Sequence, residues 1–400
     1  MLLTKKNRTD MNIKSGYKSH CLLIPLLCLF AMSCSQEIPI APEEDTGKEG
    51  QVELLLNTST GLTTRTQLPG PDNLQHVREV QLYIFDGTAD ASTCVASEDV
   101  SWEHAAGAEN GLPTKEQRYK VKYAGFEASK TYTFLAVGLD DKSGATYNLP
   151  AAIGVGTTLK EANAVLAFGQ GREAIACSEL FAGASQLTTT KLGSGTVRVD
   201  LYRRVAGVMG YFINIPTAIN GTDVAFLRIK LYKAQNRSVP LLVQTPDVIM
   251  LPIEETADNR ILVDIPSSGF VTDGTTSKGS YVLPMIAPFA TLEAATAAGY
   301  ASDIYVKDYT LCVVLADASG NALRTQRVRM KNVDNADTSG GTGIIVSTDA
   351  YRFHILANQF YSIGSKDAPV DLGGDGDDIV ITVNSNWLWV GDGQDELPIL

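Results

Sequence analysis

From residue 51 onward the chain alternates between apolar and polar positions. Val52, Leu54 and Leu56 are set against Glu53 and Asn57, and Tyr119, Val121 and Tyr123 against Lys120 and Lys122. Period two is the signature of a strand with one face in a core and one in water. Two other runs are apolar at both parities: Val80-Gln81-Leu82-Tyr83-Ile84-Phe85 and Tyr132-Thr133-Phe134-Leu135-Ala136-Val137. These predict central strands covered on both faces.

The pattern continues with strands predicted at about 197–203, 205–214, 225–233, 261–265, 304–316, 323–330, 351–357, 379–384 and 386–390. Turn signals separate them: Asp86-Gly87, Asn110-Gly111, Asp140 to Gly144, Asn220-Gly221, Asp273-Gly274, Ala318 to Asn321 and Ser339 to Gly341. Helices are predicted only at Thr158 to Phe168 and Thr291 to Ala298, alanine-bearing and a few turns long. Many short strands, Gly- and Asp-rich turns and few helices predict an all-β protein of two tandem β-sandwiches. The expected spans are 51–203 and 204–400, joined within Val197 to Ala206 without a Pro- or Gly-rich linker.

The first fifty residues follow another logic. Cys21 to Met32 is an apolar run of about twelve residues, too short for a membrane helix and sized for the core of a secretory signal. Lys14 and Lys18 precede it, and Met11 is an alternative start. The run closes on Ala31-Met32-Ser33-Cys34, which looks like a bacterial lipobox. Cleavage between Ser33 and Cys34 would then remove residues 1–33 and leave Cys34 carrying fatty acyl chains. Each buried CH2 contributes roughly 0.8 kcal/mol, so two or three chains hold a folded domain to a bilayer. Residues 34–50, polar, acidic and Pro-bearing, read as a tether.

Charge narrows the partners. The signal's five basic residues and one acidic residue leave 28 basic against 44 acidic, from 33 and 45 in the full chain. Such a balance argues against a nucleic-acid partner, which calls for a basic patch. No metal or cofactor is expected. Beyond the signal and Cys34 stand Cys94, Cys177 and Cys312, widely spaced. They spell no disulfide framework, and packing as single thiols is preferred to one disulfide.

Catalytic signals are weak, and no enzyme is predicted. His76, His104 and His354 are far apart with no GxSxG elbow, and Gly169-Gln170-Gly171 lacks a phosphate-loop frame. Asp371, Asp375, Asp377 and Asp378 do not match an EF-hand spacing and read as a solvated acidic turn.

Several segments, taken in order, resemble the fimbrillins, the lipoprotein-derived pilins of Bacteroidetes. They are the lipobox, Tyr83-Ile84-Phe85-Asp86, Leu201-Tyr202-Arg203-Arg204-Val205-Ala206-Gly207-Val208, Leu356 to Lys366, Asp377 to Val383, and Asn386-Trp387. The resemblance implies two transthyretin-like sandwiches, export to the outer-membrane surface, and assembly with other fimbrillin subunits through exchanged strands. The closing segments look most like the anchor or accessory branch, whose members sit at the fibre base and limit its length. Shaft subunits of the family lose their first strand to an arginine-specific protease.

Here Val52 to Asn57 is the first strand, expected at a sheet edge, and Arg65 is the first arginine after Cys34. Arg65 is either a solvated turn residue or a cleavage site, and an anchor must escape that cut to keep its lipid. Asn386 to Val390 is either an ordinary last strand or a segment offered to a neighbour. Two other roles stay open: a surface glycan-binding lipoprotein, which needs exposed aromatics, and a shaft or tip subunit with an adhesive role. Replacing Cys34 with Ala is expected to move the protein from the membrane pellet to the soluble fraction on cell fractionation; unchanged pelleting counts against the lipid.

Overall fold

The computed structural model describes residues 50–57, 77–102, 116–242, 258–285, 293, 309–330, 351–357, 360–374 and 379–381. Its first half forms β1 (Val52–Asn57), β2 (Glu79–Phe85), β3 (Cys94–Val100), β4 (Glu116–Lys120), β5 (Thr131–Leu139), α1 (Ser143–Tyr147), β6 (Asn163–Val165), α2 (Arg172–Ala176), β7 (Leu180–Thr188), β8 (Gly195–Asp200) and β9 (Tyr202–Arg203). Its second half forms β10 (Ala206–Ile213), β11 (Ala218–Ile219), β12 (Thr222–Asp223), β13 (Phe226–Leu231), β14 (Ser238–Pro240), β15 (Ile261–Pro266), β16 (Thr276–Val282), β17 (Leu311–Ala316), β18 (Ala322–Met330), β19 (Phe360–Ile363), β20 (Val370–Asp371) and β21 (Ile379–Ile381). The protein is all-β, built as two β-sandwiches with short helices.

The two sandwiches repeat one topology. The first packs a β4-β1-β8 sheet on a β3-β2-β5-β7-β9 sheet, and the second packs β16-β10-β19 on β15-β13-β17-β18-β21. In each, the first strand lies in the middle of the smaller sheet, with an antiparallel neighbour on one side and a parallel one on the other. The second strand of each lies between its third and fifth. The last strand breaks the repeat, since β9 runs antiparallel to β7 and β21 parallel to β18.

Alternation along the strands fills three large cores among the described residues. Val52, Leu54 and Leu56 of β1 face Val80, Leu82 and Ile84 of β2 and Tyr132, Phe134 and Ala136 of β5 inside the first sandwich. The opposite parity of β2 and β5, with Tyr83, Phe85, Leu135, Val137 and Leu139, enters a middle core capped by Tyr147 of α1 and Ile175 of α2. Both faces of these strands are therefore covered, as their unbroken apolar runs predict. Met209, Val239, Leu241, Tyr281 and Leu283 from the second half join the same middle core. Ala206, Val208 and Phe212 of β10 face Leu227, Ile229, Val313 and Leu315 in the third.

The predicted strand at 197–203 divides in two. β8 belongs to the smaller sheet and β9 to the larger, with Leu201 buried at the crossing. Gly183 of β7 permits it: a Cβ there would lie 1.8 Å from the Asp200 carbonyl oxygen. The Asn220-Gly221 signal becomes the β11–β12 hairpin, with φ of 50° and 81° at the two turn residues, which fits a type I′ turn.

Other expectations are corrected. The segment 158–168 is not a helix but a 3-10 turn at Leu159–Glu161 followed by β6. Thr158 closes the turn by donating its N–H and hydroxyl to Glu161 Oε2 at 3.1 and 2.8 Å. Pairing of β6 with β14 then draws the next residues into a strand, a tertiary contact overriding propensity. The run 351–357 forms no strand but a single bridge between Ile355 and Met285. The predicted Asp140–Gly144 turn begins α1, where Asp140 Oδ1 accepts the N–H groups of Lys142 and Ser143 at 2.8 and 2.7 Å. The helix expected at 291–298, the strand at 386–390 and the turns at 110–111 and 339–341 fall outside the described residues, Glu293 excepted.

Replacing Gly183 with Ala is expected to cost about 1–3 kcal/mol in denaturant unfolding, because backbone must move to admit the methyl. Gly154→Ala, whose new methyl would meet no atom within 4 Å, is expected to stay within about 0.5 kcal/mol.

Candidate functional site

β1 is not an edge strand. It pairs antiparallel with β4, Glu53 to Lys120 through Asn57 to Glu116, and parallel with β8, Val52 to Gly195 through Asn57 to Asp200. Hydrogen bonds extend both seams: Gly50 N–H to Leu192 O, Gly195 N–H to Gln51 O, Val121 N–H to Val52 O, and Leu201 N–H to Asn57 O. At its end Asn57 is buried and donates Nδ2 to Asp200 Oδ1 at 2.9 Å, an oxygen that also accepts from Arg198 Nε. On the solvent side Arg118 meets Glu53 at 2.9 Å, an exposed pair worth at most about 1 kcal/mol.

The parallel partner is what moved β1 to the centre. Its alternation fixed which side chains face the core but carried no sign of a second neighbour, because β8 arrives about 140 residues later in the chain. Were β1 withdrawn, β4 and β8 would border a slot one strand wide, about 10 Å between their axes. The slot would expose two rows of backbone donors and acceptors over an apolar floor. Burying Val52, Leu54 and Leu56 contributes about 1.5–3 kcal/mol each before ordering costs are set against it.

The corners beside this sheet are closed. Glu98 of β3 accepts the N–H groups of Lys122 and Tyr123 at 3.0 and 2.7 Å and the Tyr119 hydroxyl at 2.9 Å, tying the edge of the large sheet to β4. Burial, and the carboxylate beside it, push the Tyr119 phenol well above its usual range. The start of the β3 edge is used as well, with Cys94 N–H bonded to Thr157 O and Gly156 N–H to Cys94 O.

Ser33, Cys34 and Arg65 lie outside the described residues, as do His76, His104, Trp387, Trp389 and Asp375 to Asp378. They bracket the described strand: Cys34 precedes β1 and Arg65 follows it. Asp371 accepts from Gly373 N–H at 2.8 Å and Asn214 Nδ2 at 2.9 Å, bonds that hold its carboxyl below the ordinary range. No metal-binding cluster occurs among the described residues. His354 is the one described histidine among the three; its carbonyl accepts the Tyr361 hydroxyl.

Cys94 and Cys312 are buried single thiols, the latter pushed up to about 11 by burial, and Cys177 is exposed. Trp102 is packed in the first core rather than displayed. Among the described residues, no helix is long and apolar enough to cross a membrane.

A family model for the fimbrillin-A associated anchor proteins Mfa1 and Mfa2 matches residues 43–390. The chain belongs to that family. Membership makes it a fimbrium-associated structural protein, which is not an enzyme class. Solved structures give weaker likenesses. The fimbrial anchor protein Mfa2 from Porphyromonas gingivalis is 15% identical, with 78% of this chain and 88% of that chain covered and a TM-score of 0.38. The tip fimbrial protein Mfa3 from the same organism is 13% identical, with 78% and 93% covered and a TM-score of 0.35. A fimbrial assembly protein from Parabacteroides distasonis is 13% identical, with 79% and 90% covered and a TM-score of 0.34. Comparison with curated proteins returns no significant match.

One polar group of this fimbrial protein is not foreseen by motif or spacing. Arg203 and Arg204 end the first sandwich, and both are buried. Arg203 pairs with buried Glu179, whose N–H in turn donates to Asp140 Oδ2 at 2.5 Å. Burial raises both carboxyls above their usual range, against the pull of Arg203 on Glu179 and of three backbone N–H groups on Asp140. Two arginines inside the apolar run Leu201 to Val208 were the signal, since a buried guanidinium needs a partner.

Leu54→Ala, at a fully buried position of β1, is expected to cost about 2–5 kcal/mol by denaturant unfolding. Arg118→Ala at the exposed pair is expected to cost no more than about 1 kcal/mol.

Proposed function

We propose that the chain is a surface lipoprotein of a fimbrial system, an anchor or accessory subunit held in the outer membrane by acyl chains on Cys34. The family match over residues 43–390 carries the fimbrial part of this reading. The lipobox ahead of the matched region supplies the membrane part. In this reading Cys34 begins the mature chain, 34–50 is a tether, and the two sandwiches span 51–203 and 204–400. Its partners are other fimbrillin subunits, met through strand pairing, and its presence limits fibre length.

The position of β1 supports retention over removal. Acyl chains on Cys34 connect to the fold through β1, which is bonded on both sides and buried at every residue but Glu53. Cleavage after Arg65 would discard the lipid together with that strand. It would also open the β4–β8 slot to a strand from another subunit, which suits a shaft protein and defeats an anchor. The glycan-binding alternative draws no support from Trp102, which is buried.

Deleting the protein is expected to leave fimbriae that are longer and shed into the medium; normal, cell-attached fimbriae would overturn the anchor reading. Intact-mass and N-terminal analysis of the membrane-bound protein is expected to show a chain that starts at acylated Cys34 and is continuous through Arg65. A major form beginning at Thr66 would instead assign it to the cleaved subunits.

A further inference from the structure

The second sandwich repeats the first except at its last strand, and it differs again at its entry. Its first strand, β10, occupies the same central place as β1, between an antiparallel and a parallel neighbour. The two strands differ in how the chain enters them. One residue, Val205, separates β10 from Arg203 and Arg204, consecutive buried residues whose side chains fasten to opposite halves of the protein. Arg203 is paired with Glu179, next to the start of β7, and its guanidinium lies 5.3 Å from the centre of the Phe181 ring. Arg204 donates Nε and Nη2 to the carbonyl of Pro240 on β14, at 3.0 and 2.7 Å, while its own N–H bonds Leu180 O. Burial pulls the Arg204 guanidinium down to about 10, the mark of a charge held away from water.

Around this pair the halves are fastened at several independent points. β14 pairs with β6, so that Ser238 to Pro240 of the second half face Asn163 to Val165 of the first. Leu166 N–H bonds Arg237 O, and Arg172 Nη1 at the start of α2 donates to Ile261 O on β15 at 2.7 Å. Beneath them the middle core takes side chains from both halves, with Leu135, Val137 and Tyr147 against Met209, Leu241 and Tyr281. Interfaces between domains that move are small and polar. This one has the make-up of a domain interior.

We propose that Arg203 and Arg204 form a lock that joins the two sandwiches into one cooperative body without a hinge. Load entering one sandwich then passes to the other through buried contacts rather than through a linker. The lock also pins the entry to β10, which makes the two equivalent central strands unequal. The inference stands on the geometry of the joint and does not depend on the fimbrial role.

The test follows hydrogen exchange by mass spectrometry on the purified full chain across a denaturant series, with calorimetry alongside. In the unaltered protein, protection of β5 in the first sandwich and of β13 and β17 in the second is expected to be lost over one denaturant range, with a single calorimetric transition. Arg204→Met fills similar space without the two hydrogen bonds and is expected to split that range into two. Arg204→Lys, which keeps one donor for Pro240 O, is expected to restore part of the coincidence. If Arg204→Met does not fold, Glu179→Gln, which keeps the shape but removes the countercharge of Arg203, is expected to give the same split. Separate transitions in the unaltered chain would overturn the single body. Coincident transitions in a folded Arg204→Met chain, or in Glu179→Gln where that is the variant read, would overturn the lock.

Discussion

Backbone pairing on both sides of β1 is the constraint from which much of the first sandwich follows. A strand at a sheet edge leaves one row of N–H and C=O groups to solvent, whereas β1 commits both rows, one to β4 and one to β8. The three-stranded sheet exists only because β1 joins two strands that do not touch each other in the sheet order. Its inward side chains then meet β2 and β5 and complete the first core. Taking β1 away would therefore both empty a third of that core's smaller sheet and separate the remaining two strands.

The same logic repeats in the second sandwich around β10, and the joint between the two makes the copies inequivalent. β1 is reached through chain that leads from the candidate lipid site, while β10 is reached through two buried arginines. A buried ion pair is weak evidence for net stability, since desolvation offsets much of the attraction. Its effect on specificity is easier to see here. Arg203 and Arg204 accept only one relative placement of the elements they bond, and the apolar middle core supplies the favourable free energy that keeps them out of water.

The family and the structure contribute different parts of the functional picture. Membership in the fimbrillin-A associated anchor proteins brings the fimbrial association. The arrangement of strands shows β1 bonded on both sides within the smaller sheet of the first sandwich.

Residue order alone determined the period-two alternation, the doubly apolar runs at Val80–Phe85 and Tyr132–Val137 and the Asn220-Gly221 hairpin. Each of these is written in neighbours a few residues apart, where local sterics and burial parity decide the outcome. Tertiary structure decided what depends on distant partners. β1 became central because β8 pairs with it from the far end of the first sandwich. The 158–168 segment became a turn and a strand because β14 was there to pair with it. The run at 197–203 was divided between two sheets because Gly183 let the Asp200 carbonyl approach. Arg203 and Arg204 looked like two charges in an apolar strand until Glu179 and Pro240 were brought to them, since a sequence names the residues that will be buried with a charge only after the fold has placed them side by side.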